Sequence, residues 1–137
     1  MNNTLARIRK YKELKADVKE LELQIEEIKE EIIGITANPS EEKTGSTNKF
    51  SSTVENQVVQ IEKRTKELNY KINKKNREIE RIENAISVLL DEEKEVINIV
   101  HIQKRKYYVA QEKLNVSYSR VKQLEYQAVK RMEKYIA

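Results

Sequence analysis

A chain of 137 residues has the length of one domain, or of one small domain with an extension. Charged residues make up 36% and hydrophobic ones 38%, with two glycines and one proline, which fits long helices with a narrow apolar stripe better than a thick globular core. The net charge is +4 and no cysteine is present, which excludes disulfides, thiolate metal sites and thiol nucleophiles and agrees with a reducing cytoplasm.

Residues 1–33 read as one long helix, with Asn2, Asn3 and Thr4 as caps before Leu5. Ile8, Tyr11, Leu14, Val18, Leu21, Ile25, Ile28 and Ile32 recur at steps of three and four, and from Leu14 onward they form a heptad seam. Such a stripe needs a partner helix, because alone it is marginal. Gly34 is placed to end the helix and Pro39 to prevent its resumption. From Gly34 to about Thr53 the composition shifts to Ser, Thr, Asn, Gly and Lys, a loop long enough to let two helices fold back on each other. Phe50 is the one large apolar residue in its second half and is placed to pin it to the hairpin.

A second long helix is expected from about Thr53 to Leu90. Val54, Val58, Ile61, Thr65, Leu68, Ile72, Lys75, Ile79, Ile82, Ile86 and Leu89 alternate by four and three, and only Thr65 and Lys75 are polar. Polar groups on a seam cost stability but fix register. Similar lengths joined by a loop favour an antiparallel hairpin within one chain; pairing of two chains as a homo-oligomer through the same seams remains the alternative. The expected fold class is all-α, a long antiparallel coiled-coil-like hairpin over residues 1–89 followed by a helix-turn-helix domain over residues 90–137.

Leu90 and Asp91 mark a break, with Asp91 as candidate N-cap and Glu92 and Glu93 against the next helix dipole. Val96, Ile97 and Val100 make a short apolar face before the basic run Lys104, Arg105, Lys106. Residues 101–137 carry nine Lys or Arg against three Glu, whereas residues 1–100 carry 18 bases and 20 acids. The positive charge is thus concentrated in the last third, as a phosphate backbone rewards through counterion release.

Leu114 to Met132, LNVSYSRVKQLEYQAVKRM, reads as the turn and second helix of a helix-turn-helix. Tyr107, Ala110 and Leu114 form the inward face of the first helix. Asn115 takes the turn, Val116 plugs the interhelical angle, and Ser117 caps the next helix. Val121, Leu124, Ala128 and Met132 fall on one face of that helix. Ser119, Lys122, Gln123 and Tyr126 fall on the other, with Arg120 at its side. Gln123 suits a bidentate pair with adenine, and Lys122 and Arg120 suit guanine or phosphate. Tyr118, Ser119 and Tyr126 would add phosphate or apolar contacts, and Lys104, Arg105, Lys106 and Lys130 would anchor the backbone. Met132 and Ile136 continue the core face, and Tyr135 is assigned to the core in preference to a place beside the base edges.

This segment resembles the helix-turn-helix of region 4 in sigma-70-type factors. That family runs arginine, β-branched residue, basic residue, glutamine, aliphatic residue and glutamate where Arg120, Val121, Lys122, Gln123, Leu124 and Glu125 stand here. With what precedes it, the chain resembles the small sigma-like late regulators of phages and prophages, the RinA and ArpU type. Two positions of the first helix depart from the pattern: Ala110 stands where a larger aliphatic is usual, and Gln111 where a small residue lets the helices cross closely. Ser119 stands where the family commonly reads DNA with a glutamate, so the target sequence does not carry over. By resemblance, Arg120, Lys122 and Gln123 are the DNA-facing positions. The partners implied are double-stranded DNA and RNA polymerase, and the activity implied is activation of late phage genes.

No catalytic constellation, cofactor motif or metal site is read in the chain, so an enzyme is not expected. His101, the sole histidine, has no carboxylate pattern beside it and reads as a packed or solvent-facing side chain. Glu26 with Glu27, and Glu92 with Glu93, read as solvated helix faces. No signal peptide and no membrane-length apolar run is seen, so a cytoplasmic protein away from membranes is expected. The competing reading is a coiled-coil assembly or adaptor protein, such as a DNA-packaging small subunit, although such subunits put their DNA-binding helices before the oligomerisation helices and the order here is the reverse.

Overall fold

In the computed structural model of the chain, residues 2–36 and 47–137 are described. Every element among them is helical: α1 (Asn2–Arg9), α2 (Tyr11–Thr36), α3 (Thr47–Ser87), α4 (Asp91–Val96), a π-helical turn (Ile97–Ile102), α5 (Tyr107–Leu114) and α6 (Tyr118–Met132). The fold is all-α. Two compact units emerge, one from residues 1–16 and 76–137, the other from residues 17–75, and both boundaries cut long helices.

The unit 17–75 is the hairpin. Arg64 pairs with Glu31 at 3.5 Å and Lys75 with Asp17 at 3.3 Å, so partners climb one helix as they descend the other. The arms are antiparallel. Val18, Ile25 and Ile28 of α2 and Ile61 and Ile72 of α3 are buried, and Leu21, Val58 and Leu68 are half-buried. The heptad periodicity therefore identifies the packed stripe. Its two polar positions have local answers: Thr65 donates its hydroxyl to Ile61 O at 2.9 Å, and Lys75 reaches off the seam to Asp17.

Helix boundaries depart from expectation at three places. The first helix is interrupted at Lys10, whose N–H donates to Arg7 O at 3.2 Å, a tightened turn that separates α1 from α2. Asn2, Asn3 and Thr4 lie inside α1 and do not cap it; the Thr4 hydroxyl is buried and donates to Ile136 O at 2.8 Å. Gly34 does not end α2, which runs to Thr36, while α3 already begins at Thr47, so the expected 34–53 loop is shorter from both sides. Pro39 and the Phe50 side chain lie outside the described residues.

The other unit wraps the N-terminal helix and the end of α3 around the C-terminal helices. Ile8, Ile82, Ala85, Leu89, Ile97, Ala128, Val129, Met132 and Ile136 form one buried cluster. Val96, Ile99, Ala110, Val121 and Leu124 form a second, with Tyr107, Leu114 and Val116 against it. Removing a large aliphatic side chain from water contributes about 1.5–3 kcal/mol, so these clusters stabilise the unit far more than its surface ion pairs do. Around them Arg7 forks onto Glu78 with both N···O distances at 2.8 Å, which holds the Glu78 carboxyl below its usual range. Tyr11 donates to Glu83 at 2.8 Å.

The break after α3 is capped differently from the sequence expectation. Leu90, not Asp91, takes the extended N-cap conformation, with φ −70° and ψ 157°. Glu93 three residues on accepts the Leu90 N–H at 2.9 Å. Glu93 is fully buried and also pairs with Arg131 at 3.1 Å, so it is a structural carboxylate and not part of a solvated face. Tyr135, assigned to the core from sequence, is 45% exposed, whereas Ile136 beside it is fully buried.

Candidate functional site

The turn between α5 and α6 builds the site. Asn115 adopts the left-handed conformation, φ 55° and ψ 51°, and its N–H donates to Gln111 O. An Asn tolerates this region where a branched residue would be strained. Ser117 is extended and its hydroxyl oxygen accepts the Arg120 N–H at 3.2 Å, supplying one orphan donor at the start of α6. Val121, Leu124, Ala128 and Met132 are all buried, each at 2% exposure or less. Their burial fixes the rotation of α6 and leaves Ser119, Lys122, Gln123, Tyr126 and Lys130 exposed on the opposite side. Ala110 is fully buried against this core and Gln111 is half-buried, so the smaller side chain occupies the closer approach.

Several expected site residues are already engaged. Arg120 donates to Gln123 Oε1 at 2.9 Å and pairs with Glu92 at 3.6 Å. Tyr118 sets its ring edge against Tyr107 at 5.6 Å between centroids. Lys130 lies 5.5 Å over the Tyr126 ring and 4.0 Å from Glu133. Lys104, Arg105 and Lys106 are exposed ahead of α5, and Lys104 holds a left-handed φ of 57° and sits 3.7 Å from Glu13. These ion pairs are exposed and worth about 0–1 kcal/mol each, little enough for a phosphate to displace them.

Sequence reading missed the polar centre under the α6 face. Glu125 is 7% exposed, and its Oε2 accepts from His101 Nε2 at 2.6 Å and from the Tyr107 hydroxyl at 2.8 Å. Its Oε1 accepts from Lys122 Nζ at 3.0 Å. Arg9 Nε donates to His101 Nδ1 at 3.2 Å, which places the imidazole proton on Nε2, facing Glu125. Burial pushes the Glu125 carboxyl up, but the donors from His101, Tyr107 and Lys122 outweigh it and hold the group at about 2. Glu125 in turn raises the Lys122 ammonium above its usual value, although burial opposes the shift. Lys122 is therefore charged at neutral pH and tethered at one side of the exposed face, 4.8 Å over the Tyr107 ring.

His101 reaches this centre through the π-helical turn. Gln103 N–H donates to Asn98 O at 2.8 Å, a five-residue step that widens the helix. His101 is 1% exposed with Ile97 and Ile99 of the same turn buried beside it. The spacing of 24 residues between His101 and Glu125 gives no local signal, and only the glutamate ending the Arg120–Glu125 pattern marked the position at all.

The folded units show the same division of charge as residues 101–137 and 1–100, an excess of six bases against an excess of two acids. Residues 1–16 with 76–137 hold 17 Lys or Arg against 11 Asp or Glu, an excess of six bases; residues 17–75 hold 10 against 12. Folding brings Glu13, Glu92, Glu93 and Glu95 onto Lys104, Arg120, Arg131 and Lys113, so part of the C-terminal positive charge is locally offset. Among the described residues no group of three or more His, Cys, Asp or Glu is placed to hold a metal ion, and no helix is long and apolar enough to cross a membrane.

No family model matches the chain, and no curated protein or solved structure does.

Proposed function

We propose that the chain is a non-enzymatic, sequence-specific DNA-binding transcription regulator that enters the major groove with α6. The observation that carries this reading is the division of α6. Val121, Leu124, Ala128 and Met132 are buried, while Ser119, Lys122, Gln123, Tyr126 and Lys130 form one exposed basic and amide-bearing side behind a hydroxyl-capped turn. Amides and cations on such a face match the acceptors and donors of base edges. The six-base excess of this unit supports electrostatic attraction to phosphate. Lys104, Arg105 and Lys106 then act as backbone anchors, and Gln123 and Arg120 as base readers. The resemblance to sigma region 4 extends the proposal to a cytoplasmic phage or prophage regulator that activates late genes and touches RNA polymerase.

The test is duplex affinity against salt. The logarithm of affinity should fall linearly with the logarithm of salt, with a slope of about −0.9 per phosphate contact. Lys104→Ala/Arg105→Ala/Lys106→Ala should flatten that slope by about two to three and weaken binding at least tenfold at low salt. No binding by the wild-type chain at low salt would remove DNA from the account and favour the assembly-adaptor reading.

A further inference from the structure

The hairpin unit has too little core for its length. Among its described residues five apolar side chains are buried, Val18, Ile25, Ile28, Ile61 and Ile72, and each keeps between 2% and 9% of its surface in water. The other unit completely buries Ile8, Ile82, Val96, Ile97, Val121, Met132 and Ile136. A pair of helices covers only one side of each seam residue; a second layer is what usually completes such a core. One flank shows where that layer is missing. Ile28 and half-buried Leu68 line an open groove of about 380 Å³ between the arms, with Glu27 and Glu31 on the α2 rim and Arg64 and Lys71 flanking Glu67 on the α3 rim.

The two arms differ in charge. Residues 17–36 carry seven acids and two bases, and residues 54–75 carry three acids and six bases. Two twofold arrangements can stack a hairpin on a copy of itself across the groove. An axis across the helices sets α2 on α2 and α3 on α3, like charge on like. An axis parallel to the helices sets α2 of one chain on α3 of the other, acid on base, with every neighbour antiparallel. We propose that this flank is a dimer interface, at which a second copy closes the groove into a four-helix bundle with α2 facing the partner's α3. The proposal does not depend on what α6 binds.

Mass in solution tests it, using the full chain at about 50 µM, a concentration at which a dimer of ordinary interface size is populated. The wild type should show twice the 16.2 kDa of one chain. Glu27→Lys/Glu31→Lys makes both rims of the groove basic, and Arg64→Glu/Lys71→Glu makes both acidic; each alone should dissociate at least ten times more readily. Mixed, the two variants should regain the doubled mass as a heterodimer, because each rim then meets its opposite across the interface. Within each chain the two rims remain like-charged, so regained mass reports the interface and not repair of the hairpin; circular dichroism of each variant checks that its helices persist. A monomeric wild type overturns the proposal, as does a dimer indifferent to both reversals or a mixture that fails to reassociate.

Discussion

Glu125→Ala is expected to lower the unfolding free energy by about 1–3 kcal/mol, the range for leaving a buried donor without its acceptor. The substitution leaves His101 Nε2–H buried without its acceptor and frees Lys122 and the Tyr107 hydroxyl. Chemical denaturation should show the loss as a shifted midpoint with little change in slope. The same carboxylate makes stability depend on acid. Its folded pKa of about 2 lies below the ordinary value of 4.5. At about 1.4 kcal/mol for each tenfold change in proton affinity, the difference corresponds to about 3 kcal/mol. The sign is that of a depressed carboxylate: the contribution is complete above about pH 4.5 and is lost as pH falls toward 2. Glu125→Gln should therefore be less stable than wild type at pH 7 and lose less on acidification. Equal acid sensitivity of the two proteins would contradict the assignment.

Ile82→Ala is expected to cost about 2–5 kcal/mol, the range for truncating a fully buried aliphatic where the surroundings cannot collapse. Ile82 sits in the cluster that joins Ile8 of α1 to Ala128, Met132 and Ile136 at the C-terminal end of the chain. Its neighbour Ile86 packs against the same cluster but is only half-buried, so Ile86→Ala should cost clearly less. Thermal denaturation of both variants measures the difference. Equal losses would mean that α3 is a uniform seam, without the specific junction at Ile82.

That contrast marks where periodicity informs and where it stops. A three-four repeat depends on which side of a helix is apolar, so Val18, Ile28, Ile61 and Ile72 were readable as packed residues, and so were Val121, Leu124, Ala128 and Met132. The turn was readable because Asn115 and Ser117 have specific backbone and capping chemistry. Periodicity carries no information about which distant element covers a stripe. Nothing in the sequence links Thr4 to Ile136, or Arg7 to Glu78, and both bonds hold α1 in the same unit as α6. The π-helical turn hid His101 for a related reason: a five-residue hydrogen-bond step shifts the facing of its side chains away from the 3.6-residue pattern. Glu93 and Glu125 were hidden by their type, since an acid in a lysine-rich helix is ordinarily solvated and only partners distant in sequence make its burial favourable.

The polar centre also decides which residue probes the proposed DNA face most cleanly. Lys122 contributes to the Glu125 network, so its loss would alter both contact and fold. The Gln123 side chain is exposed and, among the described residues, bonds to the Arg120 guanidinium on its own helix, which makes it the sharper probe. The decisive measurement is selection of binding sites from a random duplex pool, with wild type and Gln123→Ala in parallel. Wild type should yield a defined motif, and Gln123→Ala a motif that loses information at one or two adjacent positions while the rest persists. An identical motif from both proteins, or no motif from wild type, would contradict readout by the exposed face of α6.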